Sequence, residues 1–326
     1  MDRRRFLQTS IAAACGATWP VLTHAQEKWP TRPVRLIVPF APGGTTDLIA
    51  RIVAAPMSKS LGQQVVVENR AGAGGTLGAN IVAESPKDGY TLGVGTVSTH
   101  AIGPALMRNP PYKPDADFAP IAVIATTAIG VFVHHSVGAS TLGELQEKAR
   151  AKPKALNFGS PGTGSLGHLA GLWFNQLAGV ELTHVPYRGS APALQDLLTG
   201  RIHVMYDNVP AALPHVASGQ IRAVAVTTPS RVSVLPDVQT TAEAGFPAFQ
   251  ILTWTMLLAP AGTPDALVAT ANAAVNDALR DETVRSRFVE VSADARGGSV
   301  ADARSFLRAE LAKWGPIAKS SGAVID

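Results

Sequence analysis

Apolar residues in the first third of the chain alternate between short β-branched runs and longer stretches with helical spacing. The first run, at 34–40, ends in a Pro-Gly-Gly turn, after which apolar residues recur every three or four positions as far as Met57. Residues 65–69 and 90–96 predict two more strands, with a Gly-rich loop and a helix between them at 71–84. This alternation predicts a parallel sheet that is covered by helices on both faces.

The same alternation begins again near residue 121 and predicts a second α/β unit. After an extended segment at 121–133, helices are predicted at 141–151, 165–178 and 191–199, and strands at 156–158, 182–186 and 202–206. A strand is also predicted at 221–227, where we expect the chain to cross back to the first unit. The C-terminal third is predicted to be mainly helical, at 264–280 and 301–317.

The length of 326 residues is more than one hydrophobic core usually organises, which favours two lobes. We expect lobe 1 to comprise residues 26–125 and 228–326, and lobe 2 to comprise residues 126–227. Each lobe is predicted to hold a mostly parallel sheet flanked by helices, with a cleft between the lobes.

The first 25 residues have the layout of an export signal. Three arginines at 3–5 precede a weakly apolar stretch at 11–17, and the Thr-His-Ala sequence at 23–25 suits signal-peptidase cleavage. The paired arginines resemble a twin-arginine signal, although two neighbouring residues depart from its usual pattern, so twin-arginine and general secretory export both stay open. Cys15 lies in a degenerate lipoprotein box that has Ala12 in place of Leu, and we expect no lipid anchor there.

Composition excludes several classes of protein. Hydrophobic residues make up 46% and charged residues only 16%, which excludes a disordered chain. The net charge of +4 falls to +2 once residues 1–25 are removed, so we expect no nucleic-acid partner. One cysteine allows neither an internal disulfide nor a cysteine-based zinc site. Because no later apolar run reaches the ~20 residues of a membrane span, we expect a soluble periplasmic protein. We also expect a monomer.

Three segments share one design, in which a strand runs into a Gly/Ser/Thr-rich turn that opens a helix: 40–47, 159–168 and 186–191. In an open parallel sheet such turns lie beyond the carboxyl ends of the strands, where ligands bind. The free N–H groups of a first helical turn and the positive end of the helix dipole favour carboxylate or phosphate. A purely structural alternative is that Thr45, Ser165 and Ser190 are N-caps.

Other reaction signatures are incomplete. From Gly162 to Gly167 the chain reads G-x-G-x-x-G between a strand and a helix, as in dinucleotide-binding motifs, but the acidic residue expected about twenty positions later is missing. An exported oxidoreductase that binds a dinucleotide there is the alternative function. Ser165 stands where a phosphate loop needs Lys. The segment around it, residues 163–167, lacks the first glycine of the serine-hydrolase motif G-x-S-x-G. The histidines show no ligand spacing, so we predict no metal site and no cofactor.

Eight segments, in order along the chain, resemble the Bug family, the TctC-like substrate-binding proteins of tripartite tricarboxylate transporters. They are Trp-Pro-x-x-Pro-Val at 29–34, Val-Pro-Phe-x-Pro-Gly-Gly-x-x-Asp at 38–47, Val-Glu-Asn-Arg-x-Gly-Ala-Gly-Gly at 67–75, and the segments at 88–92, 157–169, 185–189, 243–246 and 259–264. The resemblance implies a two-lobed periplasmic binding protein of the type II kind that is not an enzyme. It also implies that a small organic acid is presented to the permease of a tripartite tricarboxylate transporter, or to a sensor.

The resemblance also implies a set of binding residues. One ligand carboxylate is held in this family largely by backbone N–H groups and bridging waters of lobe 1. Carried over to matching positions, the set is Phe40, Gly43, Gly44, Asp47, Thr96 and Ser98 in lobe 1, and Ser160, Gly164, Ser165, Tyr187, Arg188, Gly189 and Asp207 in lobe 2.

Binding is expected to shift an equilibrium between open and closed lobes, with the hinge near Ala125 and Thr227. Arg188 either adds a charge-assisted bond to the distal carboxylate or forms a surface ion pair. Asp207 either receives an ammonium group or acts through water on a neutral acid end. Which acid binds stays open.

Overall fold

The computed structural model describes residues 29–321. The first part of the chain follows the predicted alternation, with β1 (Val34–Val38), α1 (Thr45–Leu61), β2 (Val65–Asn69), α2 (Thr76–Ala83), β3 (Thr91–Thr96) and α3 (Gly103–Leu106). A π-helical turn, Val97–Ile102, connects β3 to α3. The predicted export signal at 1–25 lies outside the described residues, and Cys15 lies there with it.

The middle and end of the chain continue the alternation. The elements are β4 (Phe118–Val133), α4 (Leu142–Ala151), β5 (Asn157–Ser160), α5 (Leu166–Ala178), β6 (Thr183–Pro186), α6 (Ser190–Leu198), β7 (Val204–Asn208), α7 (Val209–Ala217), β8 (Arg222–Val226), β9 (Leu252–Pro260), α8 (Asp265–Arg280), α9 (Glu282–Glu290), β10 (Ala293–Gly297) and α10 (Val300–Ser320). The C-terminal third therefore holds two strands, β9 and β10, besides its predicted helices.

The sheet has two halves that share β4. In the first half the strand order is β2-β1-β3-β9-β4-β10, and β1 to β4 run in one direction while β9 and β10 run against them. In the second half the order is β6-β5-β7-β4-β8, and only β4 opposes the others. Most strands in each half are therefore parallel, as predicted.

Strand β4 connects the two halves. Its start pairs with β9 and β10, and its end, from Ile129, pairs with β7 and β8. All of its sixteen residues are buried, which fits a continuous apolar strand that is covered on both faces.

Strand β8 stays with the second half, and so does the segment that follows it. It pairs with Gly130 to Val133 of β4, and the following segment stays with the second half because Val226 forms a β-bridge with Thr240. The ring of Phe249, close to the end of that segment, packs 5.7 Å from Trp173 of α5 between ring centroids. The chain enters the first half only at β9.

Hydrogen bonds of Thr227 connect the two places where the chain passes between the halves. The Thr227 hydroxyl lies within hydrogen-bonding distance of the carbonyl oxygens of Ile129 (3.1 Å) and Ile251 (2.6 Å). The backbone N–H of Thr227 also donates to Ile129, and that of Ile251 donates to Thr227. These hydrogen bonds hold the end of β8 beside Ile129 of β4 and beside Ile251, just before β9.

The C-terminal helix α10 covers the first half next to the junction. Its first turn is closed by a capping box between Ser299 and Asp302. Further along, Glu310 accepts hydrogen bonds from the indole N–H groups of Trp254 on β9 (2.7 Å) and Trp314 (2.8 Å). Among residues 29–321, no helix combines the length and the apolar character that a membrane span requires.

Candidate functional site

A cavity lies where the two halves meet. Residues from both halves and from β4 line it: Phe40, Gly44, Thr45, Thr46, Thr96, Ser98, Ile129, Pro161, Leu166, Gly167, Ser190, Tyr206, Asp207, Asn208, Thr253, Trp254 and Thr255. The N-termini of α1, α5 and α6 all contribute, so the three turns predicted from the sequence meet at one place. Their free N–H groups and dipoles favour an anion.

The turn before α1 is held by Asp47, which lies beneath it and does not line the cavity. One carboxylate oxygen of Asp47 accepts the N–H of Gly43 at 3.0 Å, and the other accepts the amide of Asn69 at 2.9 Å. Arg51 donates to both oxygens, and Asn69 also donates to the carbonyl of Phe40. Burial opposes ionisation, but these donors hold the pKa of Asp47 below its usual value. Asp47 therefore positions the turn as a charged carboxylate.

The turn after β3 reaches across the cavity. Thr96 caps it by a capping box with Thr99. The hydroxyl oxygen of Ser98 accepts the N–H of Leu166 at 2.9 Å, which ties the first turn of α5 to the first half. Ser98 therefore both lines the cavity and joins the two halves.

The turn before α5 is supported from behind by two stacked histidines. Ser165 caps the helix by accepting the N–H of His168, and the N–H of Gly164 donates to Nδ1 of His168 at 3.2 Å. His168 stacks on His184 with 4.0 Å between ring centroids, and His184 lies 2.7 Å from the hydroxyl of Ser160. Burial lowers the pKa of His168 to about 4, and burial together with His168 lowers that of His184 to about 3. Both rings are therefore neutral supports.

The turn before α6 also separates supporting residues from lining residues. The Tyr187 hydroxyl donates to Asp196 at 2.8 Å, away from the cavity, and the side chain of Arg188 is exposed. Burial and the Asp196 carboxylate raise the pKa of Tyr187 to about 12. Gly189 lies against the opposite half, where an added Cβ would come within 3.0 Å of the Ala41 nitrogen.

The thirteen residues expected at the site thus divide into two groups. Those that line the cavity are Phe40, Gly44, Thr96, Ser98 and Asp207. Those that lie behind or beside it are Gly43, Asp47, Ser160, Gly164, Ser165, Tyr187, Arg188 and Gly189. The second group belongs to the turns before α1, α5 and α6, whereas the first group comes from the turn before α1, from the end of β3 with the turn after it, and from β7.

Three buried polar atoms at the cavity have no hydrogen-bond partner: the hydroxyls of Thr45 and Tyr206 and one oxygen of Asp207. None of these residues is more than 3% exposed. Burial raises the pKa of Asp207 to about 6 against the opposing influence of Ser190 and Asn208, and burial raises that of Tyr206 well above 10. Buried polar groups are normally paired, so the three atoms indicate a polar ligand.

The part of the cavity lining that comes from β9 was not predicted from the sequence. Thr253, Trp254 and Thr255 line the cavity, yet no strand was predicted there. The alternation of threonine with large apolar residues was the available signal. Tyr206 and Asn208, on either side of Asp207, were also missed.

Glycines allow close backbone contacts around the cavity, both between the two halves and within the second half. A Cβ added to Gly162 would lie 3.0 Å from the Cα of Gly74 across the cleft, and one added to Gly167 would lie 2.6 Å from the carbonyl of Tyr206. Close backbone contacts therefore account for glycines of the G-x-G-x-x-G segment. Among the described residues, no cluster of acidic, histidine or cysteine side chains suits a metal ion.

Two α/β units around a polar cavity that draws its lining from both define the class of two-lobed solute-binding proteins. Residues 49–323 match the family model described as the tripartite tricarboxylate transporter family receptor (TctC), and the chain belongs to this family. The expected family and the expected two-lobed α/β fold are both confirmed.

Named relatives cover almost the whole chain. Protein BugT of Bordetella pertussis is 35% identical over 312 residues, 95% of each chain. The structure of Rhodopseudomonas palustris Rpa4515 with adipate is 41% identical, with a TM-score of 0.87 over 91% of this chain and 99% of that one. MatC of the same organism, with bound malate, is 37% identical, with a TM-score of 0.86 over 89% and 99%.

Proposed function

We propose that this protein is a periplasmic receptor that captures a small organic acid by closing its lobes and delivers it to a tripartite tricarboxylate transporter or a sensor. The observation that carries the proposal is one cavity lined from both halves by residues that include Thr45 and Asp207, each with a buried oxygen that has no hydrogen-bond partner. Because these atoms come from both halves, only a ligand that contacts both satisfies them. The adipate and malate in the related structures make dicarboxylates the first candidates.

The α1 end of the cavity suits one carboxylate of the ligand. Gly44, the N-cap of α1, makes no side-chain capping bond, so the first N–H groups of the helix stay available to a ligand. Thr45 adds a hydroxyl at the same place, and Thr96, Ser98 and Ser190 surround it with further hydroxyls. Anion binding at such a helix end needs no cationic side chain.

The lobes in this proposal are residues 29–127 with 252–321, and residues 128–251. The second boundary lies later in the chain than the expected 228, because residues 228–251 pack with the second half. The hinge would lie at residues 128–129 and 251–252, next to the hydrogen bonds that Thr227 makes with Ile129 and Ile251. A strand that runs through both lobes allows small dihedral changes at these positions to move one lobe against the other.

Titration calorimetry on ligand-free protein tests the proposal. Adipate, malate, succinate and citrate form the panel, and we expect at least one of them to bind one to one. Thr45→Val should raise the Kd for the acid that binds about two- to tenfold, which corresponds to the loss of one hydrogen bond. Thr270→Val on α8, where the hydroxyl bonds only to the carbonyl of Ala266, is the matched control. A panel without binding, or a protein purified with flavin or nicotinamide absorbance, would contradict the receptor function.

A further inference from the structure

The cavity contains one acid and no base. Asp207 is its single ionisable carboxyl group, and none of the described residues that line it is lysine, arginine or histidine. One oxygen of Asp207 accepts a hydrogen bond from the side-chain amide of Asn208 at 3.2 Å, and the other has no partner within hydrogen-bonding distance, although Ser190 and the backbone of Asn208 also favour the charged form. A buried carboxylate without a cation is costly unless it is protonated or meets a donor.

The charged groups on neighbouring elements are engaged elsewhere. Strand β7 packs against α5, α6 and α7, which carry His168, Asp196 and His215. His168 stacks on its neighbouring histidine, Asp196 accepts from Tyr187 and Arg201, and His215 lies 2.8 Å from an amide oxygen of Gln220. The segments of β4 and β5 beside β7 have no titratable side chain.

The residues of the first half do not supply a counter-charge either. Arg51 on α1 is paired with Asp47 at 2.9 Å, outside the cavity lining. The pKa of Asp207 is raised by burial, and no charged side chain contributes to its shift. A carboxylate of a dianionic ligand that reaches Asp207 would therefore meet another carboxylate in a site without cations. Two such groups cannot both stay charged at hydrogen-bonding distance.

We propose that Asp207 and one carboxylate of the ligand share one proton, so that the cleft binds a dicarboxylate together with a proton taken from solvent. This inference rests on the proposed function, which places the first carboxylate at α1. The unpartnered oxygen of Asp207 is one acceptor, the ligand carboxylate is the other, and the proton joins them.

The experiment measures proton uptake on binding. Adipate and its monoamide are titrated at pH 8 in buffers of different ionisation enthalpy, and their Kd values are measured between pH 6.5 and 8. We expect close to one proton taken up per adipate and an affinity that falls about tenfold per pH unit towards pH 8. The monoamide already carries a donor, so it should bind without proton uptake and with a flat pH profile.

Variants identify the group that holds the proton. In Asp207→Asn the side-chain amide donates at every pH, so adipate should bind without proton uptake. Asp237→Asn, an exposed aspartate outside the cavity, is the control and should keep the wild-type proton uptake.

Each other outcome overturns the inference in a distinguishable way. Adipate binding without proton uptake at pH 8 would overturn it and leave the proposed function standing. Unchanged proton uptake in Asp207→Asn would assign the proton to another group. If neither adipate nor its monoamide binds, the inference fails for these ligands, whereas the proposed function fails only if malate, succinate and citrate do not bind either.

Discussion

Gly74 provides a direct test of lobe closure. It lies in a turn of the first half with φ of 63°, and it touches the turn before α5 in the second half. A Cβ at this position would overlap the carbonyl oxygen of Thr163 and lie 3.4 Å from the nitrogen of Ser165. The perturbation is Gly74→Ala, which adds one methyl group at the contact between the halves.

The size of the effect follows from what the methyl group meets. The obstacle is a backbone carbonyl, so it cannot rotate away like the end of a flexible side chain, and the halves must separate. Overpacking of this kind costs about 1–3 kcal/mol. Because the collision exists only when the halves are in contact, the cost falls on the closed, ligand-bound state. We therefore expect the Kd for the bound acid to rise about 5- to 150-fold.

Gly62 offers a matched control. It follows α1 with φ of 70°, and a Cβ there would meet no atom within 4 Å. Gly62→Ala therefore introduces the same left-handed backbone strain, about 1–2 kcal/mol, without the collision. Urea unfolding of the ligand-free proteins should show similar losses for both variants, whereas calorimetry should show weakened binding only for Gly74→Ala.

Two results would refute this reasoning. Wild-type affinity in Gly74→Ala would mean that the ligand-bound protein does not close at this contact. An equal loss of affinity in both variants would mean that backbone strain, and not the collision, controls binding.

Three further predictions concern the groups that support the cavity. Asp47→Asn should lower the free energy of unfolding by about 2–4 kcal/mol, because an amide cannot accept from Gly43, Arg51 and Asn69 together; urea unfolding checks this against Asp237→Asn. The buried His168 has its pKa lowered to about 4, so its contribution to stability is complete above about pH 6.5 and is lost towards pH 4. The loss should reach about 2 kcal/mol at pH 5, and His168→Asn should flatten the decline in stability measured by urea unfolding. Glu310→Ala should lower both stability and affinity because Trp254 and Trp314 lose their acceptor, whereas Glu310→Gln keeps a carbonyl oxygen and should stay close to wild type in urea unfolding and calorimetry.

The sequence predicted the position of the cavity better than its lining. Apolar periodicity located β1, α1 and the later strand–turn–helix units, and glycine with hydroxyl residues marked the turns that meet at the cavity. A local pattern of this kind specifies where a helix begins. It does not specify whether a side chain in the turn points into the cavity or back into its own lobe.

Orientation within each turn is decided by contacts with residues distant in sequence. Asp47 faces away from the cavity because Asn69 and Arg51 hold it beneath its turn. Ser160 is held by His184, and Tyr187 by Asp196, in the same way. Apart from Asp47 with Arg51, an i,i+4 pair on α1, these pairings do not follow from the spacing of residues along the chain, which is why supporting and lining residues were expected as one set.

Strand β9 was missed for a different reason. A short apolar run does not distinguish a buried strand from a buried helix segment by its periodicity. Its place between β3 and β4 is set by antiparallel pairing with strands more than a hundred residues away. Thr253 and Thr255 therefore became part of the cavity wall through topology alone.

The proposed function makes binding and closure one event, because the unpartnered groups come from both halves. Thr45 comes from the first half, whereas Tyr206 and Asp207 come from the second, so neither half alone can satisfy a ligand that is polar at both ends. A ligand that contacts both halves stabilises the closed arrangement by the affinity it gains there. By the same linkage, any change that weakens the direct contacts between the halves lowers affinity even when it touches no ligand atom. The contact between Gly74 and Gly162, and the bond from Leu166 to Ser98, therefore belong to the binding site as much as the residues that line it.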